Sequence, residues 1–391
     1  MHRVFFFLTG ENFNTHRRIE PGEVPHFSIL EITSLLKACF PGNDITPEYT
    51  MHRVMEAQLP AFNVQTTRFL RRSASIKYIG TPDFNLISSE AKIDQAIEEF
   101  TNILPRDPDF ARLARGLTGK GKTFAVARVV HAIALPDGAE LPLKAAIGGA
   151  IKSSCGFQVN LGAPDIFVSL FITKTRDPGN PGFAFRVSFN CIEYHTRGFK
   201  DRIAKDRPAF GIGTMNPPLT TLMVNCAHPR RDRPALMIDP FCGTGGLLIE
   251  ALVRGIASIG IDVDYPSIKG CIKNMRHYSK GKKAGFHLLH ASTFSLPLRE
   301  HVEAPRESTV TVTDPPYGRL ESLKHARFEE YVGVLECLSR GHGSLCFAMP
   351  DAFTPVVHAF LEKDPSTRIV SMQRKREHAG FSRAIFLVSR K

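Results

Sequence analysis

The chain has 391 residues, 43% hydrophobic and 23% charged, with 30 Gly and 27 Pro. That composition excludes disordered, collagen-like and coiled-coil classes, and at about 150 residues per domain the length predicts two or three globular domains. Lys and Arg number 50 against 38 Asp and Glu, a net charge of +12, which favours a polyanionic partner, nucleic acid first, over acidic small substrates.

In chain order, Val4-Phe5-Phe6-Phe7-Leu8 reads as a buried first strand; it is too short for a signal-peptide core. Ser28 and Glu31 have capping-box spacing, and Ile29, Ile32, Leu35, Leu36 and Cys39 repeat at helical spacing until Pro41-Gly42-Asn43. A small α+β unit over 1–80 follows. Its second half carries Arg68, Arg71 and Arg72, a run that suits a solvated face or a nucleic-acid contact. A second unit, 81–175, is predicted from a helix over 93–104, a strand over 122–130, an amphipathic helix over 143–153 and a strand over 164–170. Inside it Gly116, Gly119 and Gly121 interleave with Arg112, Arg115, Lys120 and Lys122, the makings of a phosphate-holding loop or of an ordinary basic turn.

The stretch 176–206, with Pro178, Gly179, Pro181 and Gly182 before Arg197, Lys200, Arg202 and Lys205, reads as a linker holding one short apolar strand and leading to Arg207. From 207 to 391, short apolar runs alternate with helical segments, the pattern of a doubly wound α/β sheet. Eight scattered cysteines, without a C-x-x-C pair or a Cys/His cluster, predict free thiols in a reducing cytosol and no metal site. Nowhere do about 20 apolar residues pass without a charge, so no membrane span is predicted.

Asp239-Pro240-Phe241-Cys242-Gly243-Thr244-Gly245-Gly246 follows a predicted strand and precedes the helical run Leu247-Leu248-Ile249-Glu250-Ala251-Leu252. Glycines there let the chain turn tightly and a ligand approach the main chain. Asp262 closes the next strand about twenty residues on, where a carboxylate accepts from a ribose diol. A dinucleotide fingerprint needs a third small residue at the position of Leu248, and leucine would crowd helix against strand and pyrophosphate. An adenosine cofactor without pyrophosphate is therefore predicted, with S-adenosylmethionine as the candidate. In that reading Asp239 faces the methionine ammonium or its bound water, Phe241, Gly243 and Gly245 line the cofactor, Asp262 holds the ribose, and Val263, Asp264 and Tyr265 flank the adenine.

Asp314-Pro315-Pro316-Tyr317-Gly318 ends the predicted strand Val310-Thr311-Val312-Thr313. An exocyclic amine on an aromatic base has a delocalised lone pair, so a methyl acceptor must be held by its N–H groups while the nitrogen becomes pyramidal. Two prolines stiffen the loop and leave the Pro315 carbonyl to accept one N–H. Asp314 takes the other and stabilises the developing cation, and Tyr317 stacks on a base rotated out of its stack.

The pair of segments 239–246 and 314–318 resembles the Rossmann-fold, S-adenosylmethionine-dependent amino methyltransferases. Segment 122–130, followed by Val159-Asn160-Leu161 and 164–172, resembles a THUMP domain, an RNA-binding module. Arg207-Pro208, the Asp-Pro-Pro-Tyr-Gly loop and 378–385 with Arg383 resemble the archaeal tRNA guanosine-10 N2-methyltransferase family. The resemblance implies a ferredoxin-like unit (1–80) beside THUMP (81–175), a linker (176–206) and a Rossmann-like methyltransferase domain (207–391). THUMP would grip the acceptor end of tRNA, and one or two methyl groups would go to the N2 amine of guanosine 10. Arg112, Arg115, Lys120, Lys122, Arg197, Arg202 and Arg207 are then expected on RNA. The implied protein is a cytoplasmic monomer, with room for a small activating protein partner.

Two departures from the family stand out. His290, in Leu289-His290-Ala291, occupies the usual acidic position at the adenine, beside Ala291. Segment 211–218, where the resemblance places Met215, Asn216 and Pro217 in a cofactor lid, lacks the family's usual His-Pro start. Competing readings are N2-guanine methylation elsewhere in tRNA or rRNA, DNA adenine or cytosine methylation by the same loop chemistry, and an RNA-binding module with a degenerate catalytic domain. A protein-glutamine methyltransferase would carry Asn at position 314.

Overall fold

A computed structural model describes residues 1–9, 26–117, 122–175, 182–189, 191–194, 196–211, 214–227, 236–293, 308–316, 343–378 and 381–390. Three sheets organise them.

The first strand, His2–Leu8, is the centre of an antiparallel sheet ordered Ile192–Glu193, Ile76–Gly80, His2–Leu8, Val54–Leu59, Glu48–Met51. Side chains alternate across a strand, and here both faces are buried. Val4, Phe6 and Leu8 pack with Ile32, Leu35 and Leu36 of the helix His26–Cys39. Phe5 and Phe7 turn the other way and meet Phe171, with ring centroids 4.8 and 5.4 Å away. Phe171 belongs to the second sheet, ordered Phe84–Ser88, Phe183–Ser188, Ile166–Lys174, Thr123–His131, Gln158–Val159, so the two N-terminal units share a core. A buried pair between Arg186 and Glu56, extended by Arg3 at 2.7 Å, fastens the same junction.

Two sequence expectations change here. Part of the expected linker is an internal strand: Phe183–Ser188 pairs with strands on both sides, and Ile192–Glu193 then joins the first sheet. Such apolar strands carry too much hydrophobic surface to stay outside a core. Glu31 does not turn back to Ser28; it is fully buried and accepts from Ser73 Oγ (2.8 Å) and the amides of Ala74 (2.8 Å) and Ser75 (3.0 Å). A buried carboxylate needs several donors, and the turn at 73–75 supplies more than a helix start would.

The third sheet is ordered Phe286–His290, Ala257–Asp262, Leu236–Asp239, Thr309–Thr313, Ser344–Pro350, Phe381–Arg390, Thr367–His378. Its first five strands are parallel and the last two pair antiparallel. Both faces are covered, as parallel sheets require. Cys346, Ala348, Ile385 and Leu387 face the helix Pro217–Ala227, whereas Leu345, Phe347, Met349 and Phe386 face the helix Thr354–Leu361. Pro217–Ala227 is buried along nearly its whole length and shares its core with Phe27 and Ala74 of the N-terminal unit. The Rossmann-like α/β fold class follows from this order.

Candidate functional site

Moving outward from Leu236–Asp239, the chain builds Ala257–Asp262 and Phe286–His290 on one side, then crosses back to place Thr309–Thr313 on the other. The strand order reverses between Leu236–Asp239 and Thr309–Thr313. In open parallel sheets the crevice beyond the carboxyl ends at such a reversal takes the ligand. The two sequence motifs lie there: Asp239 and Asp314 end strands that are directly paired, Ile238 opposite Thr311.

Asp239 is 1% exposed, and its Oδ1 accepts from Thr313 Oγ1 (2.7 Å) and the Phe241 amide (3.2 Å). This carboxylate therefore joins the two strand ends. Burial pushes its pKa up from 3.8 to about 7, the neighbouring Asp262 and Asp314 acting the same way and the two hydrogen bonds opposing. A carboxyl with a raised folded-state pKa contributes stability that is complete below pH 4 and is lost as pH rises towards 7. The expected slope over that window is at most about 1.4 kcal/mol per pH unit. In urea melts of wild type and Asp239→Asn taken from pH 4 to 8, this slope should vanish in the variant; equal pH dependence would remove Asp239 as its source.

Asp262 ties down the glycine loop. Its Oδ2 accepts from the Gly243 amide (2.7 Å) and its Oδ1 from the Asp264 amide (2.9 Å). Gly243 and Gly245 adopt φ of +52° and +87°, a region costly for residues with a Cβ. At Gly245 a Cβ would also lie 2.6 Å from Cys271 Sγ. Gly245→Val is thus expected to displace the loop and to lower affinity for S-adenosylhomocysteine by at least roughly tenfold, the equivalent of about 1.4 kcal/mol of the strain expected there; calorimetric titration with unaltered affinity would contradict it. Leu248, which excluded a dinucleotide motif, is accommodated by Gly260 on the neighbouring strand, where a Cβ would fall 2.4 Å from Leu248 Cδ1. The small residue needed for close helix–strand packing has moved from helix to sheet. The Cys242 thiol is pushed well up by its hydrogen bond with Cys271 and by burial, so it is not a nucleophile here.

At the ends of the next two strands, His290 Nε2 lies 3.0 Å from the Val263 carbonyl, its ring 5.1 Å from that of Tyr265, and the Ala291 amide donates to the Asp262 carbonyl (3.0 Å). Val263, Tyr265 and Leu289 are exposed there as large apolar groups. Asp264 caps the helix Tyr265–Tyr278, accepting from the Ser267 amide; hydrogen bonds from the Ser267 hydroxyl and amide hold its carboxyl below the usual range.

Asp314 is half-buried, Pro315 buried and Pro316 exposed. Arg383, on Phe381–Arg390, places Nη2 3.4 Å from Asp314 Oδ2. Sequence reading noticed Arg383 only within a resembling segment, because its partner is 69 positions away in the chain and two strands across the sheet. Tyr317 lies outside the described residues.

Among the residues expected on RNA, Arg112 and Arg115 are exposed on the helix Pro108–Arg115 rather than in a loop, and Arg112 pairs with Asp109 at 2.9 Å. Lys122 is exposed with φ +52°. Lys120 and the side chain of Arg197 lie outside the described residues. The remaining two are turned inward. Arg202 is bound to the buried Glu250 (Nε–Oε1 2.8 Å). Arg207 is 5% exposed, donates from Nε to the Arg202 carbonyl (2.8 Å), and among the described residues leaves Nη1 and Nη2 without hydrogen-bond partners. Both belong to a segment folded onto the sheet, where Asn274 clamps Ala209 and Thr244. Met215 is buried and Asn216 caps Pro217–Ala227 through the Leu219 amide (3.0 Å). Among the described residues there is no group of His, Cys, Asp or Glu placed to hold a metal, and no helix long and apolar enough to cross a membrane.

Residues 205–356 match the family described as "RMKL-like, methyltransferase domain". A tRNA (guanine(10)-N2)-dimethyltransferase of Methanothermobacter thermautotrophicus is 31% identical over 215 residues, 53% of this chain and 57% of that protein. A probable tRNA (guanine(10)-N2)-dimethyltransferase of Methanothermococcus thermolithotrophicus is 31% identical over 133 residues, 33% of this chain and 78% of its own length. The crystal structure of TrmN from Thermus thermophilus covers 100% of both chains at 17% identity with a TM-score of 0.49. The chain thus spans little more than half of the Methanothermobacter relative. On the identity and coverage of the Methanothermococcus relative, the chain belongs to the tRNA (guanine(10)-N2)-dimethyltransferase family.

Proposed function

We propose that this chain is an S-adenosylmethionine-dependent methyltransferase acting on the exocyclic N2 amine of a guanosine in tRNA, guanosine 10. The observation that carries the reading is the meeting of the Asp239–Gly246 loop and Asp314-Pro315-Pro316 at adjacent ends of paired strands, where the sheet order reverses.

The residues present fit the cofactor. The left-handed glycines 243 and 245 open the main chain to a ligand. Asp262 retains acceptor lone pairs beside its two amide bonds for a ribose diol. Val263, His290 and Ala291 form a partly apolar edge for a purine. The unpartnered guanidinium nitrogens of Arg207 lie about Gly246 at the start of the helix Gly246–Val253, Nη1 3.3 Å from where a Cβ would stand; buried donors and a helix N-terminus suit a carboxylate. When bound, S-adenosylmethionine supplies a methyl group activated by its sulfonium.

Asp314 accepts one N–H of the guanine amine and the Pro315 carbonyl the other, which turns the nitrogen lone pair towards the donor side. As the nitrogen took the methyl, the methyl–sulfur bond would break with its electron pair left on sulfur as a neutral thioether; Asp314 would stabilise the positive charge on nitrogen and receive the proton that nitrogen sheds, passing it to water. Arg383 fixes the carboxylate for this. Residues 81–175 serve as the THUMP-like grip on tRNA, with Arg112, Arg115 and Lys122 exposed for phosphates, and Tyr317 stacks on the target base. A cytoplasmic enzyme, either working with a small activating protein partner or monomeric, completes the reading.

Purified chain, labelled cofactor and unmodified tRNA transcripts test it by mapping the product nucleoside. N2-methylated guanosine, lost when guanosine 10 is replaced, is expected; undiminished labelling of the replaced transcript would move the site, and label in a DNA amine would replace the substrate class.

A further inference from the structure

A cavity of about 360 Å³ opens at the junction of the N-terminal unit, segment 194–202 and the end of the helix Gly246–Val253. Five of its ten lining residues are arginines, Arg68, Arg71, Arg72, Arg202 and Arg254, and none is acidic. Two carboxylates stand behind the wall. Glu250 holds Arg202 and Arg254, each at 2.8 Å, and Glu31 accepts from Ser73, Ala74 and Ser75. Asn225 links the halves, receiving from Arg254 Nε (2.9 Å) and donating to Glu31 Oε1 (2.6 Å) and the Arg72 carbonyl (2.9 Å). Among the described residues, five guanidinium groups face two buried carboxylates, so the space is positive.

The rim differs from the wall. Arg68 and Arg71 are exposed, and among the described residues neither has a carboxylate partner; Arg71 rests 5.9 Å from the Tyr194 ring centroid. Like charges lining one cavity repel one another, and an anion shared between them relieves that repulsion. The Asn225 network fixes the wall, so the cavity is preorganised.

We infer that this cavity is a phosphate site that receives backbone phosphates of bound RNA, with Arg68 and Arg71 as its contact residues. The inference rests on the proposed action on tRNA. Guanidinium groups match phosphate oxygens in geometry as well as charge, and the volume, near the lower end of ligand cavities, suits a phosphate with part of its sugar. Arg254 follows a helix of eight residues that begins at the glycine loop, a rise of about 12 Å. The phosphate held here therefore belongs to RNA away from the modified nucleotide, and the contact adds affinity without reading sequence.

The test measures binding of a full-length tRNA transcript to the full chain by fluorescence anisotropy between 50 and 300 mM salt, for wild type, Arg68→Gln/Arg71→Gln and a control, Lys282→Gln/Lys363→Gln, which removes two exposed cations outside the cavity. The cavity variant is expected to bind roughly tenfold more weakly, with the slope of log affinity against log salt reduced by about 2. Its melting temperature and affinity for S-adenosylhomocysteine should be unchanged. Unchanged tRNA affinity, or an equal loss in the control, overturns the inference. If inorganic phosphate raises the melting temperature of wild type alone while tRNA affinity is the same in both, the site takes a free phosphate and the RNA assignment is overturned. Binding is read without methyl transfer: loss of affinity in the cavity variant with no methylated guanosine would uphold the RNA site and sink the proposed activity, whereas methylated guanosine 10 with intact variant affinity would do the reverse.

Discussion

Asp314→Asn is expected to slow methyl transfer to tRNA by about 10²–10⁴-fold while affinity for S-adenosylhomocysteine is retained. Asparagine keeps the shape of the side chain and one acceptor oxygen, but loses the charge that stabilises a cationic nitrogen and the basicity that receives its proton. Single-turnover rates with labelled cofactor and excess enzyme isolate that step, and calorimetry checks the cofactor site. A variant transferring methyl at the wild-type rate would take Asp314 out of the mechanism. Arg383→Gln should have a smaller effect, roughly tenfold, because Arg383 touches Asp314 Oδ2 at 3.4 Å and acts by positioning it. A rate unaffected in that variant would leave the pair a structural contact.

Glu250→Ala should give the largest loss of stability, about 3–5 kcal/mol, by stranding two buried cations. Glu250 is fully buried; its Oε atoms accept from Arg202, Arg254 and Thr221. Burial pushes its carboxyl up, but Arg254 and Arg202 outweigh burial and leave it below its ordinary value of 4.5. With a depressed folded-state pKa, its contribution is present above the unfolded value and is lost as pH falls through the folded one. Urea midpoints at pH 7 and in the acid range should therefore show wild type and Glu250→Ala converging below pH 4.5. A difference that persists undiminished at low pH would mean that packing, not the charge network, carries the loss. Glu250→Leu with Arg254→Leu should recover part of the stability, since an apolar pair of similar volume leaves fewer stranded charges.

The sequence by itself determined what local chemistry determines. Apolar runs over 235–238, 310–313 and 344–347 marked three strands of the last sheet, and Gly243 and Gly245 marked a turn that residues with a Cβ resist. Two prolines after Asp314 marked a rigid acceptor loop. The central position of His2–Leu8 was legible in part, because five consecutive apolar residues need burial on both faces. Tertiary structure decided which charges meet. Glu31 has capping-box spacing, yet burial sent it to the turn at 73–75 and to Asn225, 194 positions away. Arg202 and Arg207 look like surface cations in a basic run, and were turned inward by Glu250 and the glycine helix. Phe183–Ser188 sat among Pro and Gly residues that read as a linker, and became an internal strand whose apolar side chains are covered by helices, Phe185 stacking on Phe100. Spacing records which neighbours share a face of one element; partners far apart in the chain are chosen by desolvation, which acts only once the sheets have closed.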